Sequence, residues 1–333
     1  MARHETPLSL LDLAPIGEGF VAGEALENST RLAQAAEKAG FKRYWLAEHH
    51  NLIDIASAAT SVVLSHIGAK TSTIRLGSGG IMLPNHAPLM VAEQFGTLES
   101  FYPGRIDLGL GRAPGTDMAT VKALRRDVRS NGMDFPEMVE ELRGYLAPTQ
   151  RGQRIQAIPG AGLKVPLWLL GSSTYSAQLA AVQGLPLAFA SHFAPDAMQA
   201  AIDTYRSHFQ PSDQLEAPYV IVCVNAVAAE TQREAEYLAT TELQKFMNLG
   251  RGVDKLLPKP VEDMSQLWHR IEERQVRHQL RESAWGTGEQ VRTKLLDLAE
   301  RTGADEVMIN SWIHDPEARI DSHERIANAW FQR

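Results

Sequence analysis

The chain has 333 residues, 44% apolar and 22% charged, a balance that belongs to folded globular proteins and excludes wholesale disorder. Its net charge of −7 offers nothing to draw a nucleic acid or an anionic membrane surface. The single cysteine, Cys223, excludes an internal disulfide framework and a multi-cysteine zinc site. No apolar run is long enough to span a bilayer and Met1–Pro7 has no apolar core, so the expectation is a soluble, cytoplasmic protein.

Short apolar runs alternate with longer segments of helical period. Leu8–Leu13 reads as a strand, followed by a helix from about Glu24 to Ala39 that Gly40 closes. Tyr44–Ala47 and the helix Ala56–Lys70 follow, then Ile74–Leu83, a strand broken by glycines, and a helix over Pro88–Phe101. Ile106–Leu110 is the fourth strand, with a polar stretch and a helix near Met133–Leu146 behind it. Val165–Leu170 leads into Tyr175–Gln183, Leu187–Ala190 into Pro195–Phe209, and Tyr219–Ala228 into Thr231–Asn248. Glu306–Ile309 and the helix Pro316–Phe331 close the series.

Eight such units, with strands apolar on both faces, predict a single (β/α)8 TIM barrel over residues 1–333 rather than a doubly wound sheet. The turn after the first strand, APIGEG, lacks the spacing of a dinucleotide-binding loop. Gly250–Gly286, charged and containing Pro258 and Pro260, falls between the seventh and eighth units. It reads as an excursion from the barrel, either a lid or a surface insertion.

In a barrel of this kind chemistry sits where strands end and loops begin, and the unusual residues crowd there. The second strand ends in Glu48, His49 and His50; alternation allows only one of the two histidines to face the mouth. Adjacent histidines rarely share an ion and no carboxylate stands at the spacing of a zinc protease motif, so no metal is expected, even with His86 or His192 nearby. Gly77, Gly79 and Gly80 interrupt the third strand, which implies a bend, a bulge or the close approach of a flat ligand. Arg112, at the end of the fourth strand, is flanked by small residues and suits an anion, a surface ion pair being the alternative. The fifth strand ends in Gly171, Ser172, Ser173 and Thr174 and runs directly into a helix carrying Ser176. That turn offers free amides and more hydroxyls than an N-cap requires. Fourth and fifth strands are neighbours in a barrel, so Arg112 and the serine turn can hold one phosphate.

With these residues assembled, the chain resembles the bacterial luciferase-like flavin monooxygenases, whose fold is a (β/α)8 barrel. Four stretches carry the likeness: WLAEHHN around His49, GSGGIMLPNHAPLMVAEQ over Gly77–Gln94, YPGRIDLGLGRAPG over Tyr102–Gly115, and WLLGSSTYSAQLAAVQGLP over Trp168–Pro186. The resemblance implies FMN across the barrel mouth, with His49 beside its reactive face as the proton-handling residue. It places Gly79 and Gly80 under the ring, joined by a cis peptide in family members, and Arg112, Ser173, Tyr175 and Ser176 on the phosphate. Glu93 matches a family carboxylate on the third helix. Ser172 stands where the family offers glutamate, and Gly111 where luciferases have a flavin-facing cysteine.

The implied reaction acts on paired donors: reduced FMN and O2 form a C4a-(hydro)peroxyflavin that oxidises a small organic substrate, under a lid formed by Gly250–Gly286. No nicotinamide fingerprint is visible, so a separate flavin reductase is the expected source of reduced FMN. Family habit implies a homodimer through the helices beside the second and third strands. The same superfamily includes F420-dependent hydride-transfer oxidoreductases, and a non-catalytic FMN-binding protein is a third reading. Cys223, flanked by valines, reads as core, and Arg125, Arg126 and Arg129 as a solvated helix face or a reductase contact.

Overall fold

The computed structural model describes residues 6–113, 117–124 and 134–332. The first half alternates β1 (Leu8–Asp12), α1 (Ala22–Ala39), β2 (Arg43–Leu46), α2 (Thr60–Gly68), β3 (Arg75–Ser78), β4 (Ile81–Met82), α3 (Pro88–Phe101) and β5 (Ile106–Gly111). Two helices, α4 (Met118–Leu124) and α5 (Phe135–Leu146), precede β6 (Leu167–Gly171), α6 (Thr174–Val182), β7 (Leu187–Phe189), α7 (Met198–His208) and β8 (Val220–Ala228). The chain then forms α8 (Gln232–Gly250), α9 (Arg270–Gln279), β9 (Ala284–Gly286), α10 (Gly288–Thr302), β10 (Glu306–Asn310) and α11 (Pro316–Trp330).

Every ladder is parallel, and pairing runs from β1 through β2, β3, β5, β6, β7 and β8 to β10, which returns to β1. The expected eight-stranded barrel is therefore closed. No helix among the described residues is long and apolar enough to cross a membrane.

Alternation along the strands divides the core in two. Leu8 and Leu10, Tyr44 and Leu46, Leu108 and Leu110 face the helices, while Leu11, Trp45, Trp168, Ile221, Cys223 and Met308 fill the barrel. Cys223 is core, as its valine neighbours suggest, and burial pushes its thiol well above the ordinary range.

The third strand is two pieces, β3 and β4, with a cis Gly79–Gly80 peptide between them. A Cβ on Gly77 would lie 2.5 Å from the Trp45 indole nitrogen, and one on Gly79 2.5 Å from Leu11 Cδ1. A Cβ on Gly80 would lie 2.7 Å from the Gly109 carbonyl oxygen. Packing against the barrel's own wall thus accounts for all three glycines.

Helix ends follow local chemistry. Gly40 and Gly303 take φ of 92° and 62° to close α1 and α10, and Asp315 caps α11 by accepting the Ala318 amide. The sequence reading left out β9 and α10. The signal for α10 was present: Thr287 and Gln290 form a capping box, and Val291, Leu295 and Leu298 make a buried stripe.

At the N-terminal ends of the strands the barrel is plugged by charge. Arg43 bridges Asp107 (2.6 Å) and Glu306 (2.9 Å), its guanidinium lying 4.6 Å from the Trp168 ring centroid. Asp107 also accepts from Arg75 (2.6 Å) and the Trp45 indole (3.2 Å), and Glu306 from Ser9 and Tyr219. Burial alone would ease the proton off Arg43, but the two carboxylates hold its pKa above the ordinary value. Replacing Arg43 by Met would leave two buried carboxylates short of their shared cation, a loss of about 3 kcal/mol. Urea unfolding reads it: a midpoint equal to the parent's would show that the remaining partners suffice.

Candidate active site at the barrel mouth

At the end of β2 the chain sorts its three polar residues. Glu48, 1% exposed, accepts Nε2–H from both His50 and His86 at 2.8 Å and the Met82 amide at 3.1 Å. Burial disfavours its charge, but those donors outweigh burial and hold the carboxyl below the ordinary range. The ligand atoms of Glu48, His50 and His86 lie within 4.8 Å of one another, a spacing open to a cation, although here the imidazoles bond the carboxylate directly. This trio fastens the second strand's end to β4 and the turn beyond it.

His49 stands apart from the trio. Its Nδ1 is buried with no partner among the described residues, and burial, helped by the Lys245 ammonium on α8, pushes the imidazole down to about 4. His192, after β7, also has an unpartnered Nδ1, and burial and then His49 push it down to about 3. At neutral pH His49 is therefore an uncharged hydrogen-bonding ring. Lys245 is ion-paired to the buried Asp54 and lies 5.4 Å from the Trp312 ring centroid. Burial raises the Asp54 carboxyl despite that pairing.

Across the mouth, Asn310 on β10 donates to Asn225 Oδ1 on β8 (2.8 Å), and Asn225 donates to the His192 carbonyl (2.8 Å). Asn225 also bonds Glu242, a fully buried carboxyl on α8 that accepts from Ser283 (2.9 Å) and the Trp285 indole (3.0 Å). Burial pushes Glu242 up to about 7. The Asn310 carboxamide oxygen and the Trp312 indole N–H are buried without partners. Sequence reasoning missed Glu242, Lys245, Asn225, Asn310 and Trp312. The available signal was a pair of charges in TTELQKFM, a stretch of α8 otherwise spaced like core.

Arg112 and the serine turn do come together. The Arg112 guanidinium lies 4.2 Å from the ring centroid of Tyr175, in the first turn of α6, across the β5–β6 pair. Gly171 is required there, since a Cβ would meet the Ser176 Cβ at 2.2 Å. Ser173 is the N-cap of α6, yet its hydroxyl makes no capping bond, leaving it and the first-turn amides to an incoming anion. Ser172 is half-buried and Ser176 buried beside them. Glu93 is half-buried on α3 and shares no bond with Arg112 or the turn. Pro114–Thr116, like Arg125, Arg126 and Arg129, lie outside the described residues.

The excursion roofs this mouth. Leu257 exchanges backbone bonds of 2.9 Å with Ile16 and Glu18, and Met264, Trp268, Val276 and Leu280 join the cluster that fills the barrel. Helix α9 is tied to the loop after β7 by His278 and Arg281 on Asp196 and by Gln279 on the Phe193 carbonyl (3.1 Å). The open end so covered brings together a helix start with unspent donors at one wall and neutral imidazoles at another.

The luciferase-like monooxygenase family model matches residues 6–306. A luciferase-like monooxygenase of Escherichia coli (strain K12) is 52% identical over 324 residues, 97% of each chain. The N-acetyl-S-alkylcysteine monooxygenase of Bacillus subtilis (strain 168) is 38% identical over 238 residues, 69% of this chain and 70% of its own. Among solved structures, apo-MsnO8 superposes with a TM-score of 0.88 at 34% identity, covering 98% of this chain and 99% of that one. The oxygenating constituent of a 3,6-diketocamphane monooxygenase, solved with FMN, shares the fold at 16% identity, a TM-score of 0.71 and 97% coverage of each chain. An F420-dependent secondary alcohol dehydrogenase does so at 17% and 0.70, covering 98% of this chain and 99% of its own. A family match over nearly the whole length, on a closed barrel whose polar residues gather at the strand ends, makes this chain a member of the luciferase-like monooxygenases.

Proposed function

We propose that the protein is a flavin-dependent monooxygenase that uses reduced FMN and O2 to oxidise a small organic substrate. The observation that carries this reading is the anion cradle: Arg112 laid on Tyr175 beside an α6 N-terminus whose Ser173 hydroxyl is unspent. A phosphate there gains a charge-assisted fork and the open end of a helix. The unpartnered nitrogens of His49, His192 and Trp312 and the Asn310 oxygen fit a ring system bearing several polar atoms of its own. When bound, reduced FMN supplies the two electrons with which one oxygen atom of O2 passes to the substrate and the other leaves as water.

The chain's own residues have distinct tasks. Arg112, Ser172, Ser173, Tyr175 and Ser176 hold the phosphate, and Gly79 and Gly80 bring bare backbone to the rim of the mouth. His49, neutral through the physiological range, can accept a proton at Nδ1 or pass one on without carrying charge in its resting state. The roof of Leu257, Met264 and Trp268 keeps water from the reacting atoms. Reduced flavin comes from a separate reductase. A homodimer through α2 and α3 would cover Val62 and Met90, which are 69% and 56% exposed; sedimentation velocity reads that state.

The deciding experiment supplies reduced FMN and O2 with a panel of small organic substrates, following oxygen uptake and organic product together. Product formed in step with oxygen supports the reading. Hydride transfer with F420 and no oxygen uptake would favour the deazaflavin alternative, and bound FMN with peroxide alone a carrier.

Arg112→Ala should weaken FMN binding by roughly 1.5–3 kcal/mol while sparing riboflavin, which lacks the phosphate. Fluorescence titration measures both, and an unchanged FMN affinity would take Arg112 out of the phosphate site. For His49, NMR of the ring protons should give a midpoint near pH 4, the ring being neutral above it and charged below. Lys245→Met should move that midpoint upward, toward 6.5. A midpoint already at 6.5 in the parent protein would contradict the electrostatics described above.

A further inference from the structure

The end of β10 contains a buried acceptor whose orientation is dictated by the protein and which no described protein group satisfies. Asn225 gives its Nδ2 hydrogens to the His192 carbonyl and to Glu242, both of which can accept there, so its Oδ1 turns toward Asn310. Asn310 answers with Nδ2, at 2.8 Å, and its own Oδ1 is left over. The residue is 1% exposed, so bulk water does not satisfy that oxygen. A flipped Asn310 amide would set oxygen against oxygen, which fixes the assignment. Trp312, two residues on and 5% exposed, has a buried indole N–H likewise without partner.

Topology gives this pair its meaning. β5, which carries Arg112 just beyond its end, stands four staves from β10 in either direction around the barrel. A ligand held by its phosphate at Arg112 and laid across the mouth therefore points its far end at Asn310 and Trp312. An isoalloxazine has two unlike edges: a dimethylbenzene edge with no polar atom, and an imide edge with one N–H between two carbonyls. The apolar edge would leave both orphans unsatisfied, whereas the imide edge matches one acceptor and one donor.

We propose that Asn310 reads the cofactor's imide edge, its carboxamide oxygen accepting the ring N–H while the Trp312 indole donates to a flanking carbonyl. This rests on the flavin reading above and goes beyond it by orienting the ring and assigning residues that the four family-like stretches do not contain. Deazaflavins share the edge, so the pair does not select between FMN and F420; it selects against any ring lacking that N–H.

The test compares FMN with 3-methyl-FMN, in which a methyl group replaces the N–H, by fluorescence titration of the purified protein. The parent protein should bind 3-methyl-FMN about tenfold more weakly than FMN. Asn310→Ala should bind FMN about tenfold more weakly and lose most of the difference between the two flavins, because the acceptor is gone. Asn310→Ser serves as a second variant, with circular dichroism to verify the fold of each. Equal affinities in the parent protein, or a methyl penalty undiminished in the variants, would overturn the assignment while leaving FMN as the cofactor. Absence of binding by either flavin would overturn the assignment and the cofactor together.

Discussion

A closed barrel of eight strands leaves a cylinder that side chains must fill completely, and here Arg43 is the piece around which the filling is arranged. Its guanidinium is held between Asp107 and Glu306 and backed by Trp168, which meets Trp45 edge-on at 5.2 Å. With two indoles and an ion cluster at one end, the neighbouring stave has room for almost no side chain, hence Gly77 on β3, whose Cβ would meet Trp45 and Asp107. The filled end admits nothing, and every ligand must use the other. The asymmetry of the barrel is thus set by volume before any chemistry is considered.

At the open end the governing quantity is desolvation. His49, His192 and Glu242 are all pushed toward their uncharged forms by burial, and Lys245 is paired with Asp54. The mouth therefore presents neutral donors and acceptors rather than a field of charge. Such a surface suits a large, flat, mostly uncharged ring far better than a second anion. Positive charge stands apart from this surface, on Arg112 against Tyr175.

Much of this was legible in the sequence because it depends on local pattern. Parallel strands buried on both faces must read as continuous apolar runs, and strands adjacent in a barrel must bring their ends together, so the barrel and the approach of Arg112 to the start of α6 at Tyr175 followed directly. The third-strand glycines were visible but their cause was not, since Gly77 answers to Trp45, distant in the chain. His49 was visible as a residue but its ionisation was not, because the shift depends first on burial under distant elements and then on Lys245 arriving from α8. Asn225, Asn310 and Glu242 were invisible for the same reason: each is ordinary alone, and only closure of β8 onto β10 makes a chain of them. Glu93 shows the converse, a residue marked by likeness that shares no bond with the cradle.

The pairing of β9 with the far half of β8 bears on how the excursion is held to the barrel. The excursion leaves from the end of α8 and returns as a strand stitched to the barrel wall and clasped to Glu242 through Ser283 and Trp285. It is stitched to the barrel at two margins, by β9 along β8 and by Leu257 to Ile16 and Glu18, and both margins share the stiffness of the backbone they pair with. At the flank beside Asp196 the ties are instead side-chain contacts at the surface, which makes that margin the softest of the three.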